Sequence, residues 1–443
     1  MTHPMTFIPV MERIVGRKLW SDLMILVLTL TATVACMPSG IKATEPDWNQ
    51  FRGPYGNGRS DVAEPPVHFD HDLNALWKTP IHGKGWSSPV VWRDQVWITT
   101  APEDGTKLHA VCLDLETGET KHDITVFDIL SPEFCHPSNS YASCTPFIEK
   151  GRIYTHFGTY GTACLDTQSG DLIWQRRDLN CDHYRGPASS PVVHGNLLLV
   201  HFDGVDIQFV VALDKRNGKT VWKRNRDIDY GTSVGDRKKA YGTPSLIEVG
   251  GRWQMISPAA VATMALDPAT GEEFWRLYHG GMNVAARPLY ENNLLYITAG
   301  SGNTRLVAMH PDGRGDVTQT HIEWSTGKGV PSRSSPLIVD GRLYMVNDGG
   351  VVTCLDARNG KRLWSERLGG EYWASPVVAG GCLYVLSKRG LVTVIKAGPK
   401  FEVLAENQFP AGFNASPAIS GNSLILRSFT HLYRIGEKNS GEF

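Results

Sequence analysis

Apolar residues in this chain come in short runs broken by turn residues, with no long helical stripe. Runs such as PVVHGNLLLV (191–200) and PLIVDGRLYMV (336–346) open at a proline and read as short strands. A strand ending in Leu-Asp follows, then a turn, then a strand ending in tryptophan. The Ser/Ala-x-Pro start recurs at Pro89, Pro146, Pro191, Pro244, Pro288, Pro336, Pro376 and Pro417, at intervals of 40–57 residues. Each interval holds four short strands, the content of one propeller blade. One blade cannot bury both of its faces, so blades stack in a ring. Eight starts predict an all-β, eight-bladed β-propeller over 75–436. Seven blades with an irregular insertion is the competing reading. The last unit, NASPAISGNSLILRSFTHLYRIG (414–436), ends before its fourth strand, and ALWKTPI (75–81) supplies the missing piece. An N-terminal strand thus closes the ring and leaves no long unpaired edge.

The turns read LDLETG (113–118), LDTQSG (165–170), LDKRNG (213–218), LDPATG (266–271) and LDARNG (355–360). Asp accepts backbone N–H groups within such a turn, and Gly takes positive φ. Trp174, Trp222, Trp275, Trp324 and Trp364 end the following strands and are expected to fill the space between neighbouring sheets. Two units are degenerate. His310 stands at the Asp position of the fifth, and VIKAGPKFEVL (394–404) of the seventh lacks both the Asp turn and the Trp. Extra length at 122–140 and 224–240 is expected in face loops, where sites usually lie.

The first residues follow a different pattern. Arg13, Arg17 and Lys18 precede the apolar run Leu23–Ala35, which ends in small residues. This predicts a secretory signal over 1–36, or a lipoprotein signal with Cys36 as the acylated residue. Either places the body outside the cytoplasm, periplasmic or secreted, with an outer-membrane lipid anchor on Cys36 as the one membrane contact. Residues 37–74 read as an N-terminal extension and 437–443 as a tail. The chain has 44 basic and 45 acidic residues, a balance that gives no steering toward nucleic acid.

Loops that join one blade to the next converge near the central channel. Their residues just before each Ser-x-Pro start include Lys84, Trp86, His136, Asp182, His183, Tyr184, Arg185, Tyr241, Arg287, Arg333, Trp373 and Asn414. This polar, aromatic and cationic set suits an anion, a sugar or a peptide, held by Arg forks and stacking. Carboxylates for glycosidase chemistry would come from Asp227, Asp229 and Asp236, or from Asp128 and Glu133. No phosphate-cradling glycine loop, HExxH or Gly-x-Ser-x-Gly is present.

Cys135 and Cys181 occupy matching places before Pro146 and Pro191, each with a His within two positions. A disulfide between adjacent loops is the expectation. Unpaired structural cysteines, a zinc site from Cys135, His136, Cys181 and His183, and a thiolate activated by His183 are the alternatives. Cys112, Cys164 and Cys354 precede the Leu-Asp of a turn, where Ala212 and Ala265 stand in sister units, and read as small core residues.

The repeat S-x-P-x-V-x-x-G-x-L-Y…A-L-D-x-x-T-G-x-x-x-W resembles the pyrroloquinoline-quinone-like (PQQ-like) propeller repeat over residues 75–436. WNQFRGPYGNGRS (48–60) and CDHYRGP (181–187) resemble secreted propeller proteins of planctomycete bacteria. The family includes quinone-dependent alcohol and glucose dehydrogenases and a non-enzymatic lipoprotein of the outer-membrane barrel-assembly machinery. The dehydrogenase branch implies PQQ with calcium, a disulfide between adjacent cysteines, calcium ligands of Glu, Asn and Asp, and a catalytic Asp. This chain has no adjacent cysteines, and none of those ligands can be placed on it. The expectation is therefore a binding or scaffold protein with no catalytic residue, metal or cofactor. Its partner would be a peptide, a protein or a carbohydrate at one face. A quinone-dependent dehydrogenase and an envelope-assembly lipoprotein are the alternatives.

Overall fold

The computed structural model describes residues 46–437. The expected signal segment 1–36, Cys36 and residues 438–443 lie outside them. The described strands gather into eight sheets. Blade 1 comprises Val90–Trp92, Gln95–Thr100, Lys107–Asp114 and Thr120–Asp128, paired in that order. Blades 2 to 7 repeat the order, and blade 4 adds a fifth strand, Gly315–Asp316, parallel to its outer strand Glu273–Tyr278. Blade 8 has Ala418–Ser420, Ser423–Arg427 and His431–Ile435, and takes its fourth strand from Ala75–Pro80. That strand runs antiparallel to the last one, Lys78 opposite Tyr433 and Pro80 opposite His431. The ring of eight blades is closed by the N-terminal strand, as the truncated last unit indicated. One expected loop is partly strand: Thr120–Asp128 extends the outer edge of blade 1 into 122–140.

The repeat motif has a mechanical role at each joint. The turn Asp accepts backbone N–H bonds, as Asp114 does from Glu116 and Thr117 at 2.9 Å. Five of the Trp indoles then donate to the carbonyl one residue past the Asp position in the next blade, and Trp364 donates one residue further on, to Gly398. Trp77 donates to Leu115, Trp174 to Lys215, Trp222 to Pro268, Trp275 to Pro311 and Trp324 to Ala357, at 2.8–3.1 Å. The same Trp lies across from a small residue on its neighbouring strand, as in Cys164–Trp174, Ala212–Trp222 and Cys354–Trp364. A ring this large favours Ala or Cys opposite it, and the exception is the closing blade, where Trp77 lies opposite Arg434. These cysteines are buried and free.

Gly218 shows how tight the joint is. Its φ is +72°, and a Cβ there would come within 2.6 Å of Trp174 Cε3. Gly218→Ala is expected to cost about 2–3 kcal/mol, because strain at positive φ adds to a clash with a packed ring. Urea unfolding of the variant checks this, and an unchanged midpoint would contradict the Trp-on-turn contact.

The two joints that lack a Trp are filled differently. In blade 1, His122 pairs with Cys112 where other blades have Trp. Trp97 stacks on His122, and its indole donates to Gln95 Oε1. Gln95 in turn donates to the Thr167 carbonyl of blade 2, the acceptor that a Trp would have used. In blade 7, the pair becomes Val394 opposite Ala405, so the larger residue changes strand. The N-terminal extension packs there. Phe69 lies against Tyr384 and Phe409, Tyr384 donates to the Pro65 carbonyl, and Asn407 exchanges hydrogen bonds with Val67 and Phe69.

Candidate functional site

The residue just before each repeat proline faces the channel, and seven of the eight are hydroxyl residues. They form a chain of bonds around the ring. The Ser88 amide donates to Thr145 Oγ1, Thr145 to Ser190, and Ser190 to Thr243. Ser335 donates to Ser375, Ser375 to Ser416, and Ser416 back to Ser88. Each bond ties one blade to the next at the innermost radius. The chain breaks at blade 5, where Arg287 replaces the hydroxyl. Its amide still donates to Ser335, but its guanidinium turns to the N-terminal segment, binding the Phe51 carbonyl and Gln50 Oε1.

That segment crosses the channel. The Trp48 carbonyl accepts from Val91 in blade 1, and the Asn49 carbonyl accepts from Ile148 in blade 2. Arg52 is fully buried and donates to the carbonyls of Pro336, Pro376 and Asn57 at 2.8–3.1 Å. Gly58 and Ser60 bond to Val378 in blade 7. Burial pushes the Arg52 guanidinium below its usual range, with the nearby charge of Arg287 adding to the effect, and burial alone does the same for Arg287. Both cations are held by carbonyl and amide oxygens. Arg287 therefore anchors the channel floor and lies away from the rim where sequence placed it.

A cavity of about 220 Å³ lies against this floor, with Phe51 in its lining. It admits a small molecule or the end of a longer one, on the low side of the range for small-ligand sites (about 300–1,000 Å³). Of the rim residues expected from sequence, Trp86, Arg185, Tyr241, Arg333, Trp373 and Asn414 line it. Asn139, Asn283 and Ser301 join them. Two arginines point charge at the cavity, and each is already paired. Arg185 forms a bidentate pair with Asp236 at 2.6 and 2.7 Å. Arg333 is bonded to Asp348 and lies over the Trp373 ring, 4.3 Å from its centre. Three polar side-chain atoms of lining residues have no partner: Tyr241 Oη, Asn283 Oδ1 and Asn414 Oδ1. Buried polar atoms are nearly always hydrogen-bonded, and these three are among fifteen unpartnered buried side-chain atoms of the described residues, with Trp48 Nε1, Asn49 Oδ1 and Arg52 Nε of the crossing segment also in that set.

The other expected residues sit elsewhere. Lys84 donates to the Pro137 carbonyl and lies 5.4 Å from the Trp86 ring centre. His136 is bonded to Ser138 Oγ, and Asp182 caps the Tyr184 amide. Tyr184 is exposed, at φ +50°, and packs on Phe134. His183 is buried below the rim. Lys239 donates to its Nδ1 at 3.1 Å, which leaves Nε2 protonated and 3.5 Å from Cys181 Sγ.

The expected Cys135–Cys181 disulfide is not formed, and both thiols are free. The side chains diverge. Cys181 turns inward against His183, behind Gly204, while Cys135 sits against Gly186 with its sulfur 3.7 Å from the Arg185 carbonyl. Burial pushes the Cys135 thiol up to about 11 and the Cys181 thiol higher still, which disfavours a thiolate nucleophile. Cys135, His136, Cys181 and His183 do not converge as a metal set among the described residues. The acidic residues considered for glycosidase chemistry do not line the cavity, and Asp236 is committed to Arg185.

A family model described as outer membrane protein assembly factor BamB matches residues 72–241 and 209–442. The chain belongs to this family of PQQ-like propellers. Two curated relatives are a 1-butanol dehydrogenase (quinone) of Thauera butanivorans and a BamB of Kangiella koreensis. The first is 25% identical over 45% of this chain and 33% of its own length. The second is 26% identical over 34% of each. A quinoprotein ethanol dehydrogenase of Pseudomonas aeruginosa is 26% identical over 46% of this chain and 32% of its own length. The chain thus spans about a third of the length of the curated relatives it matches. Among solved structures, BamB of Moraxella catarrhalis superposes with a TM-score of 0.59 at 14% identity, covering 83% of this chain and 99% of its own. Quinohemoprotein alcohol dehydrogenase of Comamonas testosteroni gives 0.65 at 11% identity, covering 90% and 82%. At these identities the likeness shows the fold alone.

The PQQ-like propeller family therefore includes both quinone enzymes and proteins named for assembly. The cavity wall can be tested for a quinone held with calcium. No Asp, Glu or Cys is among the described residues lining it. Calcium takes six to eight oxygens, with carboxylates prominent among them. The lining does not fit a calcium-bound quinone, and no catalytic step is derived through one.

Proposed function

We propose that this propeller is an extracytoplasmic, non-catalytic binding protein whose channel mouth receives a neutral polyhydroxylated ligand, a saccharide. The observation that carries the reading is a cavity wall of amide, hydroxyl and aromatic side chains, Trp86, Asn139, Tyr241, Asn283, Trp373 and Asn414 among them, without carboxylates. Amides and hydroxyls match sugar hydroxyl groups, and aromatic side chains offer apolar surface beside them. An anion is less well served, because Arg185 and Arg333 already have Asp partners. The apolar run before Cys36 supports the location outside the cytoplasm. No helix among the described residues is long and apolar enough to cross a membrane.

Calorimetric screening of mono- and oligosaccharides against the purified chain tests the reading. A binding sugar is expected, with affinity reduced at least ~10-fold by Asn414→Ala or Trp373→Ala, the loss of one or two ligand contacts of about 1–2 kcal/mol. Tight uptake of pyrroloquinoline quinone and calcium with dye-linked alcohol oxidation would overturn it. So would the absence of any saccharide binding.

A further inference from the structure

The ring's closing seam carries a cluster of side chains that neither the repeat nor the channel uses. The linker that follows the closing strand Ala75–Pro80 runs onto the face of blade 1 and is fastened there. The Ile81 amide donates to Thr430, Lys84 and Ala101 pair through both backbones, and Thr100 Oγ1 donates to the His82 carbonyl at 2.6 Å. This holds His82 beside two residues of blade 1, His109 on its third strand and Asp123 on its fourth. His82 Nε2 is 2.9 Å from Asp123 Oδ2, and His109 Nδ1 is 2.9 Å from Asp123 Oδ1. The three ligand atoms all lie within 4.8 Å of one another. Each oxygen of one carboxylate therefore faces a different imidazole.

We propose that His82, His109 and Asp123 bind one zinc-class divalent ion, and that this ion staples the closing segment to blade 1. Two imidazole nitrogens and a carboxylate are donors suited to zinc, and a set of three leaves a fourth position for water. The two 2.9 Å distances run to different oxygens of the carboxylate, and the three donors lie within 4.8 Å of one another, so binding draws them in toward the separation of about 3.3 Å that tetrahedral ligands at about 2.0–2.1 Å require. His109 is mostly buried, whereas His82 and Asp123 are about half exposed, so the ion has an entry path from solvent. Copper(II) and nickel(II) would compete on such donors, and magnesium would not. The staple follows from topology. His82 belongs to the segment whose strand completes blade 8, and its two partners belong to blade 1, so the ion bridges the first and last elements of the ring.

The full chain, stripped with chelator and titrated with zinc chloride in a calorimeter, tests the proposal. One site per chain is expected that weakens at least ~10-fold in His109→Ala and in Asp123→Asn, since each removes one of three ligands. His82→Asn, in an exposed linker, gives the same readout should either strand variant fold poorly. Saturating zinc is expected to raise the melting temperature of the wild type and not that of His82→Asn. Equal zinc uptake by wild type and variants would overturn the site, leaving the cluster as a His-Asp-His hydrogen-bond bridge. Site-specific binding without a melting shift would overturn the staple.

Discussion

A chain that begins at Ile81 is expected to lose its cooperative melting transition, while one that begins at Thr44 keeps it. The difference between them is the extension and the closing strand. Without the strand, His431–Ile435 becomes an open edge, and Leu432 and Ile435, both fully buried in the closed ring, face water. Trp77 leaves the pocket over Gly118 where its indole donates to Leu115. Loss of a buried Trp alone costs about 3–5 kcal/mol. Loss of Arg52 leaves the carbonyls of Pro336 and Pro376 without their donor, at about 1–3 kcal/mol for each buried orphan. Together these reach the whole stability of an ordinary domain, about 5–15 kcal/mol. Calorimetry and near-ultraviolet dichroism of the two chains read the outcome. A sharp transition in the shorter chain would mean that the ring stands without its closing strand.

The ring itself was legible because the repeat is local. Proline start, Asp turn, positive-φ Gly and terminal Trp each satisfy a requirement of their own few residues, so the eight proline starts declare the units one by one even where the Asp turn or the Trp is missing. The joints without Trp were not legible. Gln95, Trp97 and His122 substitute for it jointly, across three strands, with no shared motif. The candidate site was half legible. Counting back from each proline found Trp86, Arg185, Tyr241, Arg333, Trp373 and Asn414. It misplaced Arg287, although the signal was present: Arg is the one residue that breaks the Ser/Thr series before proline. Phe51 was missed because it comes from the extension, which has no repeat to place it. The cysteine pairing failed for a related reason. Equal offsets in successive blades fix where two loops begin, and side-chain direction is then set by groups such as His183 and Lys239 that spacing cannot see.

Acid is expected to unfold this protein well before its carboxylates titrate. Four histidines are buried and held neutral. His156, bonded to Thr162 beside Phe202, is pushed down to about 3 by burial. His279 is also pushed to about 3, by burial and then by the charge of Arg305. His183 and His201 lie well below the ordinary value, again through burial first, with Lys239 facing one and Arg226 facing the other. The unfolded chain takes up protons at these positions near pH 6.5 and the folded chain does not, so stability falls as pH drops below 6.5. Each group contributes about 1.4 kcal/mol per pH unit once well below that point. Four of them remove about 7–8 kcal/mol between pH 7 and pH 5, on the scale of the total. The window is separable from others. Asp114 and Asp214 are lowered to about 2, so their contribution is lost only below pH 4. Lys239 is lowered to about 8 by burial, so its release of a proton adds stability only above pH 8. Urea midpoints should be nearly flat from pH 8 to pH 7 and drop steeply below pH 6. His156→Gln keeps a polar partner for Thr162 and removes one titrating group, so its midpoint should fall with about three quarters of the wild-type slope. A wild-type midpoint at pH 5 equal to that at pH 8 would show that the buried histidines find protons inside the folded ring.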